Sequence, residues 1–238
     1  MTRPRSTLKS AETRERILGA ASRLFVEEGF RQATMRRIAE EAGVALGLTY
    51  RYFPAKEDLA LALYGQLAVE LVKRSEAWGS LPLAEGFRRA TLEKLSLARP
   101  HREALSALFA ASLGGEPEAR AASLVSDRSA AVRTQVRWAF QRVVERATDL
   151  PPSLDEAARA DLTTLLYGAH LLVLLVWLVD RAGGSVAEGL VDAAAAAMQQ
   201  AMPYAASPML QPSWRGAAGW MARFLGDRNP QSATGRSS

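Results

Sequence analysis

The 238-residue chain contains no cysteine and only two histidines, His101 and His170. The first absence excludes disulfides, thiolate nucleophiles, cysteine-ligated zinc and iron–sulfur clusters. The second leaves too few imidazoles for a histidine metal site, and no acidic cluster stands at ligand spacing from either, so no metal is expected. A Gly-x-Ser-x-Gly elbow, a Gly-Lys-Ser phosphate loop and a His-Glu-x-x-His helix are also missing. Carboxylates are mostly interleaved with arginines on helix faces, so neither catalysis nor a cofactor is expected. The opening "MTRPRSTLKSAETRER" lacks the continuous apolar core of a secretory signal, and a cytoplasmic protein is expected. No stretch alternates apolar and polar residues for long, which argues against strands.

What is present suits a soluble globular protein: 48% hydrophobic and 23% charged residues. Thirty basic against 25 acidic side chains give a net charge of +5, a modest bias toward an anionic partner. One uncharged run, "LTTLLYGAHLLVLLVWLV" from Leu162 to Val179, is barely long enough for a membrane span. Thr163, Thr164, Gly168 and His170 dilute it, and Asp161 and Asp180 flank it instead of basic or aromatic anchors. The centre of a helical bundle needs the same composition, so no membrane partner is expected.

The fold class expected is all-α. A first helix from about Ala11 to Glu28, capped by Ser10, repeats Ile17, Ala20, Ala21, Leu24 and Phe25 on one face, and Gly29 stops it. Thr34 caps a second helix with Ile38, Ala39 and Ala42 inward and Arg36, Arg37, Glu40 and Glu41 outward. Gly43 turns the chain, with Val44 as the apolar plug of the turn, and a third helix runs from about Ala45 to Tyr52 before Pro54. Two short helices joined by a glycine turn and braced by a longer one match a helix-turn-helix. Thr34 can offer its hydroxyl and nearby N–H groups to a phosphate, and Gly47 lets the backbone approach a groove. Tyr50, Arg51, Tyr52 and Lys56 supply hydroxyls and cations for phosphates.

Three blocks, "RILGAASRLFVEEGF", "TMRRIAEEAGV" and "YRYFPAKEDL", occur in this order between about Thr13 and Tyr64. In them the chain resembles the TetR/AcrR family of bacterial transcriptional regulators. The resemblance implies phosphate or base contacts at Thr34 and Arg36, a groove-facing recognition helix starting at Ala45, Leu46 and Gly47, and phosphate contacts at Tyr50, Tyr52 and Lys56. Ala45, Leu48 and Thr49 depart from the family's commoner Ser or Thr, Thr and aliphatic residues, so the base sequence read is open. Phe53 reads as core, and Tyr50 reads equally as core or contact. Arg37, Glu40 and Glu41 read as a solvated face. Residues 1–10, with Arg3, Arg5 and Lys9, read as a disordered basic arm, ahead of a DNA-binding domain over 11–55.

For residues 56–202 the resemblance implies a helical ligand-binding and dimerisation domain. Helices are expected at about Lys56–Trp78, Leu83–Ala98, Arg102–Leu113, Glu118–Ala147, Leu154–Arg181 and Ser185–Met202, broken at turn-rich "GSLP", "RP", "GGEP", "DLPPS" and "AGG". An effector pocket is expected near Phe109, Trp138, Tyr167, His170 and Leu174, suiting an apolar or amphipathic small molecule. The family's four-helix dimer interface is expected on the last two bundle helices, at Leu172, Val176, Leu190, Ala194, Ala197 and Met198. The tail over 203–238 holds a possible short amphipathic helix with Trp214, Trp220, Phe224 and Leu225, expected to pack back on the bundle. The function implied is a homodimeric repressor on a palindromic double-stranded DNA operator, released by the effector. The alternative is a helical interaction module that keeps the fold without reading DNA.

Overall fold

The computed structural model describes residues 5–114, 129–180 and 184–225. Among them the only regular elements are helices, joined by a single isolated bridge between Leu81 and Ala147. The principal ones are α1 (Arg5–Glu27), α2 (Met35–Glu41), α3 (Leu46–Tyr52), α4 (Lys56–Ser75), α5 (Leu83–Ala98), α6 (Arg102–Gly114), α7 (Ala130–Glu145), α8 (Glu156–Val179), α9 (Ser185–Ala201) and α10 (Gln211–Phe224). The all-α expectation holds. The arm expected over residues 1–10 does not: α1 begins at Arg5, because no helix breaker follows Pro4 and Ser10 sits inside the helix instead of capping it. Part of the helix expected at Glu118–Ala147 lies outside the described residues.

The chain forms two compact units. The first comprises the described residues of Met1–Leu67 and Leu97–Val132; the second, those of Ala68–Ser96 and Arg133–Ser238. A division at residue 55 therefore does not follow the packing, since α6 clusters with α1–α3. In the first unit Ile17, Leu18, Ala21, Leu24 and Phe25 of α1 are buried together with Ile38 and Ala39 of α2 and with Thr49 and Phe53. The Thr34 side chain accepts the Arg37 N–H at 3.2 Å and caps α2. Gly43 then takes φ +63°, a conformation that a side chain resists. Its turn closes with Val44 N–H donating to the Ala39 carbonyl at 3.0 Å.

In the second unit α8 is the central helix. Asp155 caps it, accepting the Ala158 N–H at 2.6 Å. By length and composition α8 could cross a membrane, yet 56% of its most apolar window is buried within the protein. Bundle burial therefore accounts for the run from Leu162 to Val179. Gly184, at φ +109°, starts α9, and the Asp180 carboxylate accepts the N–H groups of Gly184 and Val186, each at 3.1 Å. The tail's expected helix is α10, which packs on α8: Arg215 bridges to Asp161 at 2.9 Å, and Met221 fills the space that a Cβ on Gly168 would take.

Candidate nucleic-acid interface

The edge formed by α2 and α3 carries nearly all the residues expected to meet DNA. Thr34, Arg36, Ala45, Gly47, Tyr50 and Arg51 are exposed, while Leu46 and Tyr52 are half-buried. A Cβ on Gly47 would meet nothing within 4 Å, so its value lies in leaving the helix surface low, not in avoiding a neighbour. Tyr50 is 47% exposed, which resolves its open reading toward the surface, whereas Phe53 is buried beneath the Arg14 guanidinium, 4.9 Å from the ring centroid. Thr49, the departure from an aliphatic residue, is fully buried and returns its hydroxyl to the Ala45 carbonyl at 3.4 Å.

The three arginines of α2 and α3 differ in their pairing. Arg37 bonds Glu28 at 3.3 Å and Glu40 at 3.5 Å, and hydrogen bonding to Glu28 chiefly holds its pKa above the ordinary value. Arg23 pairs with Glu41 at 2.9 Å. These pairs are the expected solvated face. Arg36 and Arg51 form no ion pair with a described residue, which leaves their charge available to a polyanion.

Lys56 departs from its expected part. Its ammonium donates to the carbonyls of Phe30 at 2.6 Å, Ala33 at 3.0 Å and Arg31 at 3.3 Å, and lies 4.5 Å from the Phe30 ring centroid. Burial pulls its pKa down, against the opposing charges of Glu57 and Glu103. All three donors of this cation are used inside the protein, so in this conformation it braces the α1–α2 turn instead of reaching a phosphate. The cause is tertiary: the turn's carbonyls face the start of α4.

Two residues that the sequence reading missed support the same edge. Glu103, on α6, accepts the N–H groups of Phe30 at 3.0 Å and Arg31 at 3.2 Å. Nothing in its local sequence marks it, because its partners are 73 and 72 residues away. Ser10 on α1 and Tyr52 on α3 share a hydrogen bond between hydroxyls at 2.9 Å. Its expectation as a cap hid it.

The expected effector residues are divided between the two units. Tyr167, His170 and Leu174 share the buried face of α8, with the His170 ring 4.9 Å from that of Phe140. Trp138 is a correction: it is 47% exposed, because Val136, Ala139 and Phe140 take the inward positions of α7. Phe109 is buried on α6, in the other unit. The reading also missed Thr91 and Lys94 on α5, both fully buried. The stripe Phe87, Thr91, Lys94, Ala98 at helical spacing was the available signal. Burial draws Lys94 down to about 7, and burial followed by the Lys94 charge draws His170 well below its ordinary value. The expected interface residues lie outward: Leu172 and Ala197 are exposed, and Val176, Leu190, Ala194 and Met198 are half-buried.

Three helices that present a short glycine-entered helix beside arginines without an ion pair to any described residue define a helix-turn-helix DNA-binding protein. Residues 17–63 match the family described as "Bacterial regulatory proteins, tetR family". Over 175 residues the chain is 33% identical to the HTH-type transcriptional repressor KstR of Rhodococcus jostii, covering 73% of this chain and 76% of that protein. The chain belongs to the tetR family of bacterial regulatory proteins, and its relatives are transcriptional regulators. Solved structures share the fold. A TetR regulator from Rhodococcus sp. RHA1 aligns with TM-score 0.59 at 19% identity, over 79% of this chain and 97% of that one. Thermus thermophilus FadR, solved with lauroyl-CoA, aligns with TM-score 0.56 at 23% identity, over 78% and 92%. This protein is thus a DNA-binding transcriptional regulator.

Proposed function

We propose that the protein is a cytoplasmic repressor without catalytic activity, reading each half of a palindromic operator with the amino-terminal part of α3. Ala45, Leu46 and Gly47 face the groove, with Leu46 suited to a thymine methyl. Thr34, Tyr50, Arg51 and Tyr52 hold phosphates, and Arg36 reaches a base edge or the backbone. The observation that carries this reading is the exposure of Thr34, Arg36, Ala45, Gly47, Tyr50 and Arg51 on one helix-turn-helix edge, where Arg36 and Arg51, unlike Arg37, form no ion pair with a described residue. Repression is supported by the similarity to the KstR repressor.

The dimer uses the outward faces of α8 and α9. The effector is an apolar or amphipathic small molecule received in the second unit around Tyr167, His170 and Leu174. Its occupancy lowers operator affinity. The test is selection of binding sites from genomic DNA with purified protein, followed by anisotropy titration of the selected site and a scrambled copy over a salt series. A palindromic consensus bound at least a hundredfold more tightly than the scrambled copy is expected. Equal affinity for both would leave the alternative, a helical module that has kept the fold without sequence recognition.

A further inference from the structure

The carboxy-terminal helix carries an apolar stripe that the fold leaves in solvent. Trp220 and Phe224, one turn apart on α10, are each 72% exposed, with the Arg223 guanidinium 4.3 Å from the Trp220 ring centroid, and the turn before Trp220 carries the small, exposed Gly216 and Ala217. The opposite face of α10 is fixed. Arg215 bridges to Asp161, Met221 sits in the notch at Gly168, and the Trp214 indole donates to the Ala205 carbonyl at 3.0 Å.

These anchors also set the register. Arg215 meets Asp161 and Met221 meets Gly168, so six residues of α10 match seven of α8 and the two helices run side by side in the same direction. Continuing that register brings Phe224 level with Leu172. Asp161, Gly168, Leu172 and Val179 lie on one stripe of α8, separated by seven or four residues, pointing away from its buried face. α10 covers the first half of this stripe. The second half is open, with Leu172 56% and Val179 68% exposed. The aromatics of α10 therefore continue the same apolar surface that α8 presents.

We infer that α10 is part of the dimer interface, and that Trp220 and Phe224 pack against a second copy of this chain beside the α8–α9 faces. This rests on the α8–α9 interface proposed above and extends it by a third helix. A two-fold contact sets this surface against its own copy, so each aromatic counts twice. A buried aromatic hides roughly 150–250 Å², and a standard interface takes about 800 Å² from each partner, so the pair supplies a sizeable fraction of one side. Small residues beside the aromatics let a facing helix come close.

The experiment uses the full-length protein in sedimentation equilibrium, with circular dichroism as the fold control. Trp220→Glu/Phe224→Glu and the uncharged Trp220→Ser/Phe224→Ser are compared with Ala194→Glu, which probes α9 alone. A dimer dissociation constant raised at least tenfold in both aromatic variants, with helicity retained, is the expected result. A wild-type constant in those variants while Ala194→Glu dissociates overturns the α10 contact and leaves the α8–α9 interface standing. Wild-type constants in all three overturn both. Flotation with phosphatidylglycerol–phosphatidylcholine vesicles that is lost in the aromatic variants, with dimerisation unchanged, also overturns the inference and assigns the stripe to lipid.

Discussion

The Glu103 carboxylate accepts the backbone N–H of Phe30 at 3.0 Å, joining the start of α6 to the turn that enters the DNA-binding helices. Its second oxygen takes the Arg31 N–H at 3.2 Å, and Lys56 holds the carbonyls of the same turn. The donors and acceptors of a glycine-entered loop are thus satisfied by two oppositely charged side chains from elsewhere in the unit.

Removing this clamp is expected to weaken operator binding without removing a DNA contact. Glu103→Gln should cost about 1 kcal/mol of stability and several-fold in operator affinity, measured by thermal melting and anisotropy. Gly29→Ala should do the same or more, because Gly29 sits at φ +86° and its added Cβ would fall 2.7 Å from Glu103 Oε2. Wild-type operator affinity in both variants would remove any role for the clamp in holding the head.

Salt dependence separates the cations that touch DNA from those that build the head. Arg36→Ala and Arg51→Ala should each reduce the slope of log affinity against log salt by about 1. Lys56→Ala should lower affinity and melting temperature while leaving the slope unchanged, since its ammonium is occupied by Phe30, Arg31 and Ala33. A reduced slope in Lys56→Ala would mean that the side chain swings out to a phosphate on binding.

The effector pocket is tested by thermal shift with a panel of apolar and amphipathic compounds. For any compound that stabilises the protein, His170→Ala should diminish the shift, and Trp138→Ala should leave it intact because that indole is half-exposed. Shifts lost in Trp138→Ala alone would move the site to the outer face of α7.

Stability should rise with pH across neutrality. Lys94 has a folded pKa of about 7 against 10.5 in the unfolded chain, so between these values the unfolded state binds more protons and alkalinisation favours folding. The same sign holds below 6.5, where the unfolded chain protonates its histidine before the buried His170 does. Lys94→Met should flatten the profile between pH 7 and 10 and raise stability at pH 7 by roughly 1–2 kcal/mol. Urea denaturation over that range gives the measurement, and an unchanged profile would show that another group sets it.

The helices and the turns between them were legible locally. Glycines at 29, 43 and 184 take the left-handed conformations that end or begin helices, and the 3.6-residue spacing of Ile17, Leu24 and Ile38 with their neighbours marked the buried faces. The short helix α3 and the exposed edge it shares with α2 followed from the same local rules, since Thr34, Gly43 and Gly47 act within a few residues of themselves. Tertiary structure decided what long, flexible or distant side chains do. Lys56 has a stem long enough to turn either to DNA or to the loop carbonyls, and only the position of that loop selects between them. Glu103 and Phe30 are brought together by folding, and their separation in sequence carries no period that could announce it. Trp138 and Lys94 show the same limit from opposite sides. An aromatic was left half-exposed and a cation was buried, because the neighbours available to each helix face, not residue type, determine which face is inside.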